Sequence, residues 1–160
     1  NQIKKEKRNL SSKIPIVVKI APDINDNEID KISEVLINNE VEGIIISNSS
    51  DMTREKLLDI QKHQKGGLSG KPIEDKSNLL INKFYKNIKN KIKIIGVGGV
   101  DSGLSAYNKF LAGADYIQLY TGMVYKGPNI VNIIKKDLCK MLLKEGIKNF
   151  TEIIGNKSKS

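Results

Sequence analysis

The residues equipped for chemistry concentrate in a few short stretches. Gly98-Gly99 follow the apolar run Ile94-Ile95-Gly96-Val97, and Tyr120-Thr121-Gly122 follow Tyr116-Ile117-Gln118-Leu119 one helix later. An apolar β-branched run that stops at paired glycines sets bare backbone N–H groups beside a helix start, where peptide dipoles favour an anion. The second run delivers a hydroxyl from the next strand end, so two adjacent loops are placed to close on one phosphate. Lys19 is an ammonium near the C-terminal end of the apolar run Ile14 to Ile20. Such a charge either meets a counter-charge or ligand or snorkels to water. Ser47-Asn48-Ser49-Ser50 closes the run Val41 to Ile46, and its hydroxyls and amide suit a ligand or, equally, turn chemistry and a helix cap. Gly66-Gly67-Leu68-Ser69-Gly70 permits close backbone approach to a ligand and also fits an ordinary loop.

Length and composition bound what can surround these stretches. The 160 residues suffice for one domain with a real core, since a domain of this size buries roughly 70% of its unfolded surface. The net charge of +9 raises the question of a nucleic-acid partner. None is expected: the lysines scatter over helix faces, aromatics are 5% of the chain, and no basic stripe is interleaved with stacking residues. One cysteine excludes an internal disulfide, and with one histidine it excludes a zinc site of Cys and His alone, so no metal is expected. Cys139 reads as a small core or boundary residue and His63 as solvated. No run approaches the ~20 apolar residues of a membrane span, and the polar start lacks a signal peptide's apolar segment.

The elements that must position the chemistry follow in order. Residues 1–13 carry the basic cluster Lys4-Lys5-Glu6-Lys7-Arg8 and no apolar period, which predicts a flexible leader or the remnant of an inserted loop. A strand runs from Ile14 to Ile20, with Pro15 near its start. Asn25 and Glu28 form a capping-box pair for a helix whose stripe is Ile29, Ile32, Val35 and Leu36. The strand Val41 to Ser47 shows no alternation, which predicts burial on both faces as in a parallel sheet. Asp51 to Lys65 is polar with a brief helical hint. A helix marked by Leu79, Leu80, Phe84 and Ile88 leads into the Gly98-Gly99 strand. Asp101 or Ser102 caps the next helix, striped by Leu104, Tyr107, Phe110 and Leu111 and stopped by Gly113. After the strand to Tyr120, a helix from about Asn129 to Glu145 turns Ile130, Ile133, Ile134, Leu138, Met141 and Leu142 inward.

Four strands, each followed by a helical pattern and each with its polar or glycine-rich feature at the C-terminal end, are the layout of a barrel's active face. A complete barrel needs eight strands and typically ~250 residues. The expected fold is therefore α/β, the C-terminal half of a (β/α)8 TIM barrel with about four βα units, residues 14–160 forming that half. The alternative is an open flavodoxin-like sheet. Two open strand edges would invite completion by another chain segment.

With these pieces in place, the sequence resembles dihydroorotate dehydrogenase, in particular the membrane-associated class that passes electrons to a quinone. The resemblance spans roughly Ile14 to Gly155. It rests on Val18-Lys19-Ile20-Ala21-Pro22-Asp23, Ser47-Asn48-Ser49-Ser50, Gly66-Gly67-Leu68-Ser69-Gly70, Gly96-Val97-Gly98-Gly99 and Gln118-Leu119-Tyr120-Thr121-Gly122, in the family's order, with Lys126-Gly127-Pro128 and Glu152-Ile153-Ile154-Gly155 beyond them. It implies an FMN-binding TIM-barrel domain that oxidises dihydroorotate to orotate in pyrimidine synthesis. Lys19 would support the reduced flavin electrostatically. Ser47, Ser69 and Gly70 would line the FMN, and Gly98, Gly99, Tyr120 and Thr121 would bind its phosphate. Asn48 and Ser49 would meet the substrate; Ser49 stands where the family usually has Thr, and Thr121 where it often has Ser.

The resemblance also implies what lies outside these residues. The base serine of this class belongs to the barrel's N-terminal half, and the membrane contact to an N-terminal segment. The expected partners are thus that half, the substrate, a quinone and a membrane, with the mitochondrial inner membrane as the expected location and the bacterial cytoplasmic membrane as the alternative. Two other readings share the phosphate loops: an FMN-dependent 2-hydroxy-acid oxidase or other phosphate-binding barrel enzyme, and a non-catalytic half-barrel binding module. The first leaves the Lys19 and Asn48 motifs without a role, and the second draws its appeal from the base serine's lying outside these residues.

Overall fold

The computed structural model describes residues 2–52, 54–55, 57–88 and 90–156. Strands β1 (Val17–Ile20), β2 (Gly43–Ile46), β3 (Lys93–Val97) and β4 (Tyr116–Gln118) form one parallel sheet in the order β1-β2-β3-β4. Parallel neighbours cannot be joined by a tight turn, so each pair is linked by a crossover helix. These are α2 (Asp26–Asn38), α3 (Glu74–Ile88) and α4 (Gly103–Ala112). The strictly sequential order is that of barrel staves; a flavodoxin-like sheet would reverse direction after its first strand. Helices α5 (Thr121–Lys126) and α6 (Ile130–Lys144) follow β4, and α6 packs on α4. The fold is a partial TIM barrel of four βα units.

The core lies between the sheet and its helices. Ile44 and Ile46 of β2 and Ile94 of β3 meet Ile29 and Leu36 of α2 and Leu80, Ile81, Phe84 and Ile88 of α3. The opposite face of the sheet is not covered by the described residues. There Lys19, Ile45, Ile95 and Tyr116 stand side by side in register, with Lys19 and Tyr116 exposed and the two isoleucines half-buried. Among the described residues burial is therefore one-sided, although β2 is apolar throughout.

Local signals act where they were expected. Asn25 accepts from the Glu28 N–H at 3.0 Å while Glu28 accepts from the Asn25 N–H at 2.8 Å, a complete capping box. Ser102, not Asp101, caps α4, accepting from the Ser105 N–H at 3.2 Å. Gly113, at φ 120°, ends that helix.

Other expectations change. Residues 2–9 form a helix, α1 (Gln2–Asn9), rather than a shapeless leader, because Lys4 and Lys7 reach Glu40 and Glu42 and tie it to the end of α2 and the start of β2. β1 begins at Val17 instead of Ile14, which is exposed. Among its described residues, the polar stretch 51–65 holds a 3₁₀ turn, Ile60–His63, and His63 is exposed, as expected. Cys139 is exposed, on the outer side of α6, not at the core boundary. Val35, Leu79, Leu104 and Ile133 sit at the edges of their stripes and stay exposed.

Phe84 is fully buried at the centre of the main cluster. Phe84→Ala should lower the unfolding free energy by about 3–5 kcal/mol, read from urea denaturation.

Candidate functional site

All four strands deliver their C-terminal ends to one cavity of about 730 Å³. Lys19, Ser47, Asn48, Ser49, Ser69, Gly70, Gly98, Gly99, Tyr120 and Thr121, each singled out from the sequence, all line it. From β1 comes Lys19, whose side chain is exposed on the cavity wall rather than buried in the strand. That is one of the two outcomes open to it, and the face Lys19 occupies is one that no described element covers.

The end of β2 is tied to its neighbours through the backbone. The Asn48 N–H donates to the Ile20 carbonyl at 2.8 Å and the Ser47 N–H to the Val97 carbonyl at 3.2 Å, so the loop bridges β1 and β3. Ser47 is buried and its hydroxyl donates to the Asn48 carbonyl at 3.0 Å, while the Asn48 amide is left exposed. Beyond it, the Ser50 hydroxyl at 2.7 Å, the Asp51 N–H at 2.9 Å and Lys76 all donate to Asp23, after β1. Burial works against ionisation of Asp23, but these bonds and the Lys76 charge hold its carboxyl below the usual range.

The glycine-rich loop joins the same construction. Ser50 and Leu68 exchange backbone bonds of 2.9 and 2.7 Å. Gly67 lies so close to Ser49 that a Cβ would overlap the serine side chain. Ser69 and Thr121 share a hydrogen bond of 2.9 Å between their hydroxyls, and Gly70, at φ 77°, packs on the Thr121 methyl. Two loops more than fifty residues apart in sequence thus meet at one point.

The end of β3 is a cradle that only glycine can form. Gly98 and Gly99 have φ of 110° and 78°, and a Cβ on Gly99 would overlap the Cβ of Glu74. Such a turn leaves main-chain groups, not side chains, facing the cavity. The cavity is also electropositive, for three lysines line it and Asp101 is its one carboxylate. Two of them, Lys71 and Lys126, were not singled out as site residues. Lys71 pairs with Glu74 at 2.5 Å, a bond that raises its pKa. Lys126 donates to the Asp101 carbonyl at 2.9 Å and carboxylate at 3.1 Å. Burial opposes ionisation of Asp101, but Lys126 and Lys71 outweigh it and hold the carboxyl below its usual range. Lys126 had a signal in the sequence, the Lys-Gly-Pro that closes α5; Lys71 had only its place beside Gly70.

This arrangement can bind an anion on glycine backbone and hydroxyls, and can present an amide and an ammonium to a flat polar ring beside it. Among the described residues, no cluster of His, Cys, Asp and Glu could hold a metal ion.

Comparison with known proteins gives the family. The family model described as Dihydroorotate dehydrogenase matches residues 1–142, a span that includes α1. The dihydroorotate dehydrogenase (quinone) of Idiomarina loihiensis is 44% identical over 125 residues, which are 78% of this chain and 37% of that protein. That of Bartonella tribocorum is 39% identical over 150 residues, 93% of this chain and 41% of the relative. The ligand-free crystal structure of DHODH from Eimeria tenella superposes with a TM-score of 0.87 at 35% identity, covering 90% of this chain and 40% of that one. The complex of Eimeria tenella DHODH with ferulenol gives 0.88 at 34% identity. The chain spans about two-fifths of the length of these relatives. On the strength of the family match and of these relatives, it belongs to the dihydroorotate dehydrogenase family.

Proposed function

We propose that the protein carrying this chain oxidises dihydroorotate to orotate, with FMN as resident cofactor and a quinone as electron acceptor, and that this chain supplies the flavin-phosphate site and part of the orotate site. One observation carries the reading: ten residues, eight from four strand ends and two from the glycine-rich loop, line a single cavity, around a glycine cradle that a Cβ would fill. The residues fit FMN. A phosphate suits the backbone of Gly98 and Gly99 with the Thr121 hydroxyl and the main chain at Tyr120, and the lysines around the cavity favour its charge.

Bound FMN supplies the hydride acceptor, chemistry that no protein side chain offers. The chain's own residues orient and polarise. Ser47 and the Ser69-Gly70 loop form walls for the flavin ring, and the hydrogen bond between Ser69 and Thr121 links that wall to the phosphate end. Lys19, on the cavity wall, would place positive charge beside a bound flavin and favour its reduced, anionic form. The Asn48 amide offers a donor and an acceptor in one plane, matched to a ring that carries both carbonyl and N–H groups. Ser49 keeps a hydroxyl beside it. The base that takes the substrate proton, a serine in the quinone-linked class, is assigned to the N-terminal half of the barrel, which also completes the uncovered face of the sheet.

A quinone is lipid-soluble, so the reading carries a membrane setting, either the mitochondrial inner membrane or a bacterial cytoplasmic membrane. Among the described residues no helix is long and apolar enough to cross a membrane. The family resemblance assigns the membrane contact to an N-terminal segment outside these residues.

An anaerobic visible spectrum of the intact protein tests the reading. The flavin's long-wavelength band should bleach on adding dihydroorotate and persist on adding lactate. Bleaching by lactate instead would favour a 2-hydroxy-acid oxidase, and the absence of any flavin would favour a binding module. Gly99→Ala should reduce FMN affinity at least about tenfold, the equivalent of ~1.4 kcal/mol, because the new Cβ meets Glu74 and the positive φ is strained. Flavin fluorescence titration measures it; an unchanged affinity would remove the cradle from the phosphate site.

A further inference from the structure

Lys109 is wholly buried, and none of the roles above uses it. Its stem passes Gly96, where a Cβ would stand 3.1 Å from its Cδ, so the strand makes room for the chain of methylenes. Its Nζ donates to the Ser77 hydroxyl at 3.1 Å and to the Asn78 amide oxygen at 2.7 Å, both buried on the first turns of α3. An ammonium has no acceptor, so Ser77 must turn its own hydrogen elsewhere. It donates to the Val97 carbonyl at 2.5 Å. The same carbonyl accepts the Ser47 N–H, and the residue after it is Gly98, which packs on the Ser77 Cβ. A buried cation thus stands one hydroxyl behind the atom that joins the β2 loop to the phosphate turn.

We propose that Lys109 is a positioning residue for that turn: through Ser77 it orients the Val97 carbonyl that ties Ser47 to Gly98, and its charge is coupled to that of an anion held on Gly98 and Gly99. The proposal rests on the reading of this turn as the flavin-phosphate site. Burial lowers the Lys109 pKa to about 7, against the favourable fields of Glu74 and Asp75 on α3 and with the opposing field of Lys71. Of the other charges on the elements around it, Lys93 of β3 pairs with Asp115, Lys76 and Lys83 of α3 with Asp23 and Asp26, and Glu145, beyond α6, with Tyr107. An anion in the turn favours the ammonium, so binding takes up a proton. Anion affinity then falls as pH rises from about 7, where the free protein loses that proton before the complex does.

The test compares FMN with riboflavin, which has the ring but no phosphate, binding to the flavin-free intact protein between pH 7 and 9, read by flavin fluorescence. Wild-type affinity for FMN should fall about fivefold over this range if the anion raises the Lys109 pKa by about one unit, while riboflavin affinity stays level. Lys109→Met should bind FMN more weakly at pH 7, without the slope, and keep its riboflavin affinity, which reports an intact fold. Ser77→Ala should also weaken FMN but retain the slope, since the charge remains. If Lys109→Met does not fold, the wild-type slope and Ser77→Ala decide. A wild-type FMN affinity as level as that for riboflavin, or a slope that survives in Lys109→Met, overturns the proposal and leaves the cofactor reading standing. A wild-type protein that binds no FMN overturns the cofactor reading and this proposal with it.

Discussion

Parallel pairing is the constraint on which everything else in this chain depends. A parallel strand cannot return by a hairpin, so the chain crosses back through a helix each time and starts the next strand at the same end. Four such repeats bring four C-terminal ends to one side. The site needs no other principle of assembly. Lys19, the 47–50 loop, the Gly98-Gly99 turn and Thr121 are neighbours because each follows its own strand, and the helices behind the sheet hold the strands in register through one apolar layer.

What sharpens that rough convergence is a small set of polar ties between loops. Val97 accepts from Ser47, Asn48 donates to Ile20, and Ser69 meets Thr121, so each strand end is fixed to another. Asp23 adds a second level, gathering Ser50, the Asp51 backbone and Lys76 around one carboxylate. Interactions of this kind contribute only modestly to stability one at a time. Their larger effect is geometric, since a ligand spanning several loops is held well only when the loops are held to one another.

Much of this was legible in the residues. Apolar runs ending in glycines or small polar residues marked the strand ends, and the ten residues chosen at those ends and in the glycine-rich loop converge on one cavity. Local chemistry was equally readable at the Asn25–Glu28 box and at Gly113. The misses share a cause, namely that they depend on contacts distant in sequence. Helix α1 has no apolar period to announce it; its order comes from Lys4 and Lys7 meeting glutamates some thirty-five residues away. Lys109 looked like any helix-surface lysine, because nothing nearby in sequence reveals that Gly96, Ser77 and Asn78 make a pocket for it.

The two free edges of the sheet have a consequence for how copies of this chain behave toward one another. β1 and β4 each present one unpaired side, the usual template for edge-to-edge association. The chain also carries a net charge of +9. Like charges repel over about 10 Å at 0.1 M salt and over only about 3 Å at 1 M. In these residues taken alone, the excess of lysine opposes that association, more in dilute buffer than in concentrated salt.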